Sequence, residues 1–193
     1  MLKKHSLHPK NMSLVSFQRE VLRQTVHVAL GMLCILVLFL SSMFVFRAFI
    51  LTLLITGAIV SLLVERRVLR SLDGLLTRVE RQGEHVPGEA AFLFVAGVGL
   101  TSFLFFSPLP VLVGIVAYTF QDSFSAIFGL RFGKTKILGP KSLEGSFAGF
   151  VGCLIPLAII LPLPLALAVA FVATLVELLP INDAFGVPLA SAL

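Results

Sequence analysis

Charged side chains are scarce in this sequence: Asp, Glu, Lys and Arg make up 13% of its 193 residues, well under the roughly 25% of an ordinary soluble domain. With 58% hydrophobic residues and a mean hydropathy of +1.03, that scarcity excludes a water-soluble core. Cysteine is almost absent too. Cys34 and Cys153 both fall inside apolar runs, where a thiol behaves as a small hydrophobe, and neither belongs to a CxxC or Cys/His cluster. No disulfide framework or zinc site is indicated. There is no Ser/Gly-rich linker and no repeat of obvious period, so a single transmembrane domain is expected over 26–193, preceded by a cytoplasmic segment over 1–25. About 25 polar residues precede the first apolar run and no small-residue cleavage site follows it, so the run reads as a retained span and not a signal peptide.

What the chain has in abundance is long apolar runs. A membrane span needs about 20 apolar residues at 1.5 Å rise, with roughly 17 to 25 allowed. Six segments meet or approach this: 26–46, 48–64, 90–107, a stretch from 109 to about 130, 144–161 and 163–179. The expected fold is therefore an all-α, polytopic membrane helix bundle of about six transmembrane helices. Lone Arg47 marks the expected turn between the first two spans, Pro108/Pro110 the turn after the third, and Pro162/Pro164 the turn before the sixth. The polar stretch 65–88 is expected to begin as an interfacial helix, because Val68, Leu69, Leu72, Leu75, Leu76 and Val79 recur at helical spacing.

The formal charge of +5 does not imply a nucleic-acid partner, because the basic residues sit in short segments between apolar runs. With both termini cytoplasmic, fourteen of the fifteen Lys and Arg fall on the cytoplasmic side and only Arg47 faces out. All ten acidic residues lie at or toward the same side. Polar chemistry is expected there.

Two of those acids interrupt apolar runs. Asp122 and Glu177 lie roughly 20 Å along their spans from the outer turns, at similar depth. A carboxylate there is costly unless paired, hydrated or metal-bound, which makes each a functional candidate. In the first helix Glu20, Arg23, Gln24, His27 and Gly31 fall in one stripe about 100° wide. On spacing alone, a solvated or structural face accounts for it. Gly145, Ala148, Gly149 and Gly152 share one face of the fifth span, as close helix packing requires.

The stretch after Asp122 is the most informative. Gly129 to Thr135 reads G-x-x-x-G-K-T, one residue short of a P-loop and without the strand before and helix after that a P-loop needs. What remains is a glycine-relieved turn carrying Arg131, Lys134, Lys136 and Lys141 near Asp122. Lysines neutralise phosphate oxygens as point charges, and a carboxylate can hold Mg²⁺. An ordinary positive-inside loop explains the lysines, but not the acid within the helix or the density of glycines.

Here the sequence resembles the dolichol kinase, phytol kinase and CTP-dependent diacylglycerol kinase family of membrane enzymes. The matching residues are Asp122-Ser123-x-Ser125-Ala126-x-x-x-Gly129-x-x-Phe132-Gly133-Lys134, then Lys141-Ser142-Leu143-Glu144-Gly145-Ser146. Glu20, Arg23 and His27 look like the family's Arg-Lys-x-x-His region, and Glu177 with Asn182-Asp183 and Pro188 looks like its closing signature. Gln121 stands where Gly is usual, Gln24 where Lys is usual, and the Asn182-Asp183 order is inverted. The resemblance implies transfer of the γ-phosphoryl group of CTP, or another nucleoside triphosphate, to the hydroxyl of a membrane lipid alcohol, with Mg²⁺ as cofactor. It implies Asp122, Glu177, Asp183 and His27 as catalytic residues and Asp122 and Glu144 as metal ligands. Arg23, Ser125, Gly129, Gly133, Lys134, Lys136, Lys141, Ser142, Glu144, Gly145 and Ser146 would bind nucleotide and phosphate.

Two other readings use the same residues. A phosphatidate cytidylyltransferase also consumes CTP at a membrane, but its acceptor is a phosphate. A small cation- or proton-coupled transporter needs polar residues reaching the far side, where this sequence offers only hydroxyls such as Ser41, Ser42, Thr101 and Ser102. Compactness and the lack of organelle signals favour a prokaryotic plasma membrane.

Overall fold

The computed structural model describes residues 9–66, 88–139, 141–179 and 183–193, with side chains from 17 onward except at 183. Within these residues the chain is all-helical apart from one short hairpin. The elements are α1 (Pro9–Leu40), α2 (Met43–Glu65), α3 (Glu89–Leu104), α4 (Pro108–Phe132), β1 (Lys136–Leu138), β2 (Lys141–Ser142), α5 (Leu143–Ile160), α6 (Leu163–Leu178) and α7 (Asp183–Ala192). Four helical segments are long and apolar enough to cross a membrane: Phe17–Leu40, Met43–Glu65, Pro108–Phe132 and Leu143–Ile160. Helices α3 and α6 are apolar but have 16 residues each, which at 1.5 Å per residue falls short of a hydrocarbon core of about 30 Å. The six expected spans thus resolve into four helices of spanning length and two shorter ones. The expected interfacial helix over 65–88 falls almost wholly outside the described residues.

Several boundaries differ from the sequence reading. Helix α1 runs through residue 25 unbroken and ends at Leu40, and the first turn is at Ser41 and Ser42, not Arg47. The serines explain the shift. Ser42 caps α2, its hydroxyl accepting from the Val45 N–H at 3.4 Å, while the Ser41 hydroxyl donates to the Val37 carbonyl at 2.6 Å. Arg47 lies one turn inside α2. Its Nε donates to the Ser102 carbonyl at 2.8 Å and its Nη2 to the Phe105 carbonyl at 3.4 Å, so it serves the orphan carbonyls at the end of α3. The guanidinium also lies over the rings of Phe103 and Phe106.

Helix α4 is the centre of the bundle, with every residue from Val111 to Thr119 buried. Its Pro-rich start follows from chemistry that suits a first helical turn: Ser107 caps it and Pro108 needs no donor there. Helices α1, α5 and α7 pack directly against it, α5 most extensively. Glycines set that approach. A Cβ on Gly145 would lie 2.9 Å from the Gly129 Cα and the Ser125 carbonyl, and one on Gly149 would lie 2.9 Å from the Gln121 carbonyl. The small-residue face of α5 is therefore a helix-packing face, and it meets α4.

Helix α7 has no counterpart in the sequence reading, because Gly186 and Pro188 weaken its helical signal. It is held by burial: Ala184 and Val187 are buried, and its backbone lies where a Cβ on Gly97 or Gly114 would sit.

Candidate functional site

Two hydrogen-bonded carboxylate clusters meet on α4. In the first, Gln24 of α1 uses both amide hydrogens, donating to Glu20 Oε1 at 3.0 Å and to Asp122 Oδ2 at 3.2 Å. Its Oε1 accepts from the Ser123 hydroxyl at 3.0 Å. Arg23 pairs with Glu20 through Nη2 at 2.6 Å and Nε at 3.2 Å. The polar stripe of α1 is therefore a buried face packed on α4, not a solvated one: Arg23, Gln24 and His27 are all buried. In the second cluster, Gln121 Nε2 donates to Glu177 Oε2 at 2.7 Å and the Ser125 hydroxyl donates to Glu177 Oε1. Gln121 and Ser125 are four apart on α4, so one helix face presents both donors to α6. Asp122 and Glu177 are nearly enclosed, 7% and 4% exposed, and a carboxylate buried to that degree requires such partners.

The stretch after α4 folds back as an antiparallel hairpin, pairing Lys136 with Ser142 and Leu138 with Lys141. Gly139, at φ +56°, takes the left-handed conformation of its turn. Ser142 then caps α5, its Oγ accepting from the Gly145 N–H at 3.2 Å. Gly133 closes α4 so near Ser142 that a Cβ there would meet the serine hydroxyl and the Gly129 carbonyl. Glu144 fastens the loop. Its carboxylate accepts from the backbone N–H of Lys134 at 3.1 Å, from that of Thr135 at 3.1 and 3.2 Å, and from the Thr135 hydroxyl at 3.1 Å.

These pieces enclose a cavity of about 320 Å³. Glu20 and Arg23 reach it from α1, and Asp122, Ser125, Gly129 and Gly133 from α4. Lys136, Lys141 and Ser142 line it from the hairpin, Gly145 from α5 and Glu177 from α6. Ten residues singled out from sequence are thus brought together: Arg23, Asp122, Ser125, Gly129, Gly133, Lys136, Lys141, Ser142, Gly145 and Glu177.

Others are placed elsewhere. His27 packs against Phe94 and Tyr118, ring centroids 5.4 and 5.1 Å away, beneath the cavity. Glu144 faces the loop, Lys134 stands on that loop, and the buried Ser146 hydroxyl has no hydrogen-bond partner among the described residues. The side chain of Asp183 lies outside the described residues. Glu20, Gln24 and Gln121 are participants that sequence reasoning did not assign to the site. The signal for Gln24 was its position in the α1 stripe, while nothing before the fold connected Gln121 to Glu177.

Among the described residues, no group of three or more His, Cys, Asp or Glu side chains could form an all-protein metal cage. The donors present suit Mg²⁺ in a different way. Asp122 and Glu177 are hard oxygen ligands lining one cavity with two lysines, and Mg²⁺ is commonly held by one or two carboxylates together with phosphate oxygens.

The chain is 30% identical over 138 residues to "Uncharacterized protein MJ1137" of Methanocaldococcus jannaschii, a match covering 69% of this chain and 68% of that protein. No protein-family model matches the chain. No solved structure matches it either.

Proposed function

The chain belongs to the family of this uncharacterized Methanocaldococcus jannaschii protein, and we propose that it is a CTP-dependent lipid kinase resembling the dolichol kinase, phytol kinase and diacylglycerol kinase enzymes. The observation that carries this reading is the cavity, where Asp122 and Glu177 share a space of about 320 Å³ with Lys136 and Lys141. Phosphoryl transfer needs positioning, charge neutralisation and a cation more than covalent chemistry. In this reading Lys136 and Lys141 neutralise phosphate oxygens. Gly129, Gly133 and Gly145 let α4, Ser142 and α5 approach closely enough to form one wall of the cavity. Glu177 is the carboxylate that would hold Mg²⁺, which when bound neutralises charge on the phosphates. The acceptor hydroxyl oxygen bonds to the γ-phosphorus as the bond to the β–γ bridging oxygen breaks. The hydroxyl proton passes to Asp122 and the nucleoside diphosphate leaves.

We place the cavity on the cytoplasmic face of a prokaryotic plasma membrane, with the N-terminus on that side and α3 and α6 completing six crossings; the C-terminus, expected on the same side, does not follow, because α7 runs back along the bundle with Pro188 packed at Gly114, near the far end of α4. Charge supports this orientation: among the described residues Arg23, Arg131, Lys134, Lys136 and Lys141 lie at the cavity end, while Arg47 binds the far end of α3.

The test is product analysis with purified protein, CTP and lipid alcohols. A kinase releases CDP and a phosphorylated lipid. Pyrophosphate released with phosphatidic acid would instead identify a cytidylyltransferase.

A further inference from the structure

Behind Asp122 lies a second opening, on the opposite side of the contact between α1 and α4. It is a groove of about 360 Å³ walled by Val21, Val28, Phe120, Phe124, Ile127 and Phe128. Its polar floor is Gln24 and Ser123, and Thr25 also lines it, its hydroxyl donating to the Val21 carbonyl at 2.8 Å. The two openings use alternate residues of the same helices: Glu20, Arg23, Asp122 and Ser125 face the cavity, while Val21, Gln24, Ser123 and Phe124 face the groove. The Gln24 to Asp122 hydrogen bond, 3.2 Å long, forms part of the partition between them. On the outer surface of α4, Phe124, Phe128 and Phe132 form a ladder with centroids 5.9 and 5.7 Å apart, and Arg131 lies over the Phe132 ring at its end. All three rings are exposed, on a helix of membrane-spanning length.

We propose that the groove between α1 and α4 receives the hydrocarbon chain of a neutral lipid alcohol, bringing its hydroxyl to Gln24, Ser123 and Asp122. The proposal rests on the lipid kinase reading and names the route of its acceptor. Three features commit the groove to this occupant. Its walls are apolar, and it is walled by two helices long enough to span the membrane, so a chain can slide in from the side. Among the described residues no Lys or Arg lines it, so they offer no partner to an anionic phosphate head, whereas an amide and a hydroxyl suit a hydroxyl. And its floor is one hydrogen bond from the carboxylate, so the alcohol O–H replaces the Gln24 N–H as the donor to Asp122. The larger apolar cavity of about 700 Å³ between α1, α2 and α3 has no such floor; its polar members are Ser61, Glu65 and Glu89, and neither Gln24 nor Asp122 reaches it.

The sequence contains no Trp, so an introduced one is a unique fluorescent reporter. Phe128→Trp places it in the groove and Phe92→Trp in the larger cavity, with Ile127→Trp as a second groove reporter should the first not fold. Each is titrated in detergent with a brominated long-chain alcohol and, separately, with brominated phosphatidic acid, while γ-labelled CTP turnover is followed on the same samples. The expected result is saturable quenching of the groove reporter by the alcohol at a concentration about ten-fold below that needed at Phe92→Trp, and no such preference for phosphatidic acid. Equal quenching at both positions, or stronger quenching by phosphatidic acid in the groove, overturns the proposal. Phosphorylated alcohol formed without selective quenching removes the groove and leaves the kinase. Selective quenching without phosphate transfer leaves the groove and removes the kinase.

Discussion

Gln24 and Gln121 are each the amide that holds a buried carboxylate, Asp122 in one case and Glu177 in the other, and under the proposed kinase reading they stand at two of the positions where the chain departs from the family pattern. Their importance was hidden in the sequence because a glutamine within an apolar run has no partner until helices dock. The carboxylates themselves were legible, since an acid inside a span is conspicuous without any fold. Replacing Gln121 by Leu preserves shape and removes the donor, leaving Glu177 with the Ser125 hydroxyl. A buried charged group deprived of a hydrogen bond costs about 1 to 3 kcal/mol. Denaturant unfolding in detergent should show a loss in this range for Gln121→Leu, and a loss of the same order for Gln24→Leu, which strips the amide from Glu20 and Asp122 together. Unchanged stability in both would mean that these contacts do not persist in the folded protein.

Elements position what residues supply, and the loop from α4 to α5 shows how. The glycines at 129, 133 and 145 and the lysines at 134, 136 and 141 were visible as a cluster, but their division was not. A hairpin was needed to turn Lys136 and Lys141 into the cavity. Glu144 clasps the loop through the amides of Lys134 and Thr135, a role that spacing does not reveal. Glu144→Ala should therefore speed hydrogen exchange at those two amides while leaving exchange in the middle of α4 unchanged; equal protection in both proteins would contradict the clasp. Helix packing gives a matched pair of glycine tests. A Cβ on Gly145 meets backbone of α4, which no side-chain rotation relieves, whereas one on Gly139 meets nothing within 4 Å and strains only the positive φ. Gly145→Ala should cost about 1 to 3 kcal/mol through overpacking, and Gly139→Ala about 1 to 2 kcal/mol through the left-handed turn.

For the whole molecule, the all-helical class and the four long apolar helices followed from run length. The first turn did not, because Arg47 looked like an interruption when its actual task is to satisfy carbonyls at the end of α3. Nor did α7, whose glycine and proline argue locally against a helix that burial of Ala184 and Val187 sustains. The bundle has two ends, one with the cavity and one with Arg47, and their sidedness is testable. Cys34 and Cys153 are both fully buried, so an introduced cysteine should report alone to an impermeant thiol reagent. Thr135→Cys is expected to label only from the cytoplasm and Phe106→Cys only from outside; labelling of both from one side would contradict the orientation. The central claim is chemical, and the most direct measurement is transfer of γ-labelled phosphate from CTP to a lipid alcohol by wild-type protein and by Asp122→Asn. The amide introduced by that substitution keeps an oxygen to accept from Gln24, so the fold should survive while proton uptake fails. Mg²⁺-dependent label in the lipid, reduced about 10²-fold or more in the variant, is the expected result; equal transfer by both proteins, or none by the wild type with any alcohol, would contradict the account.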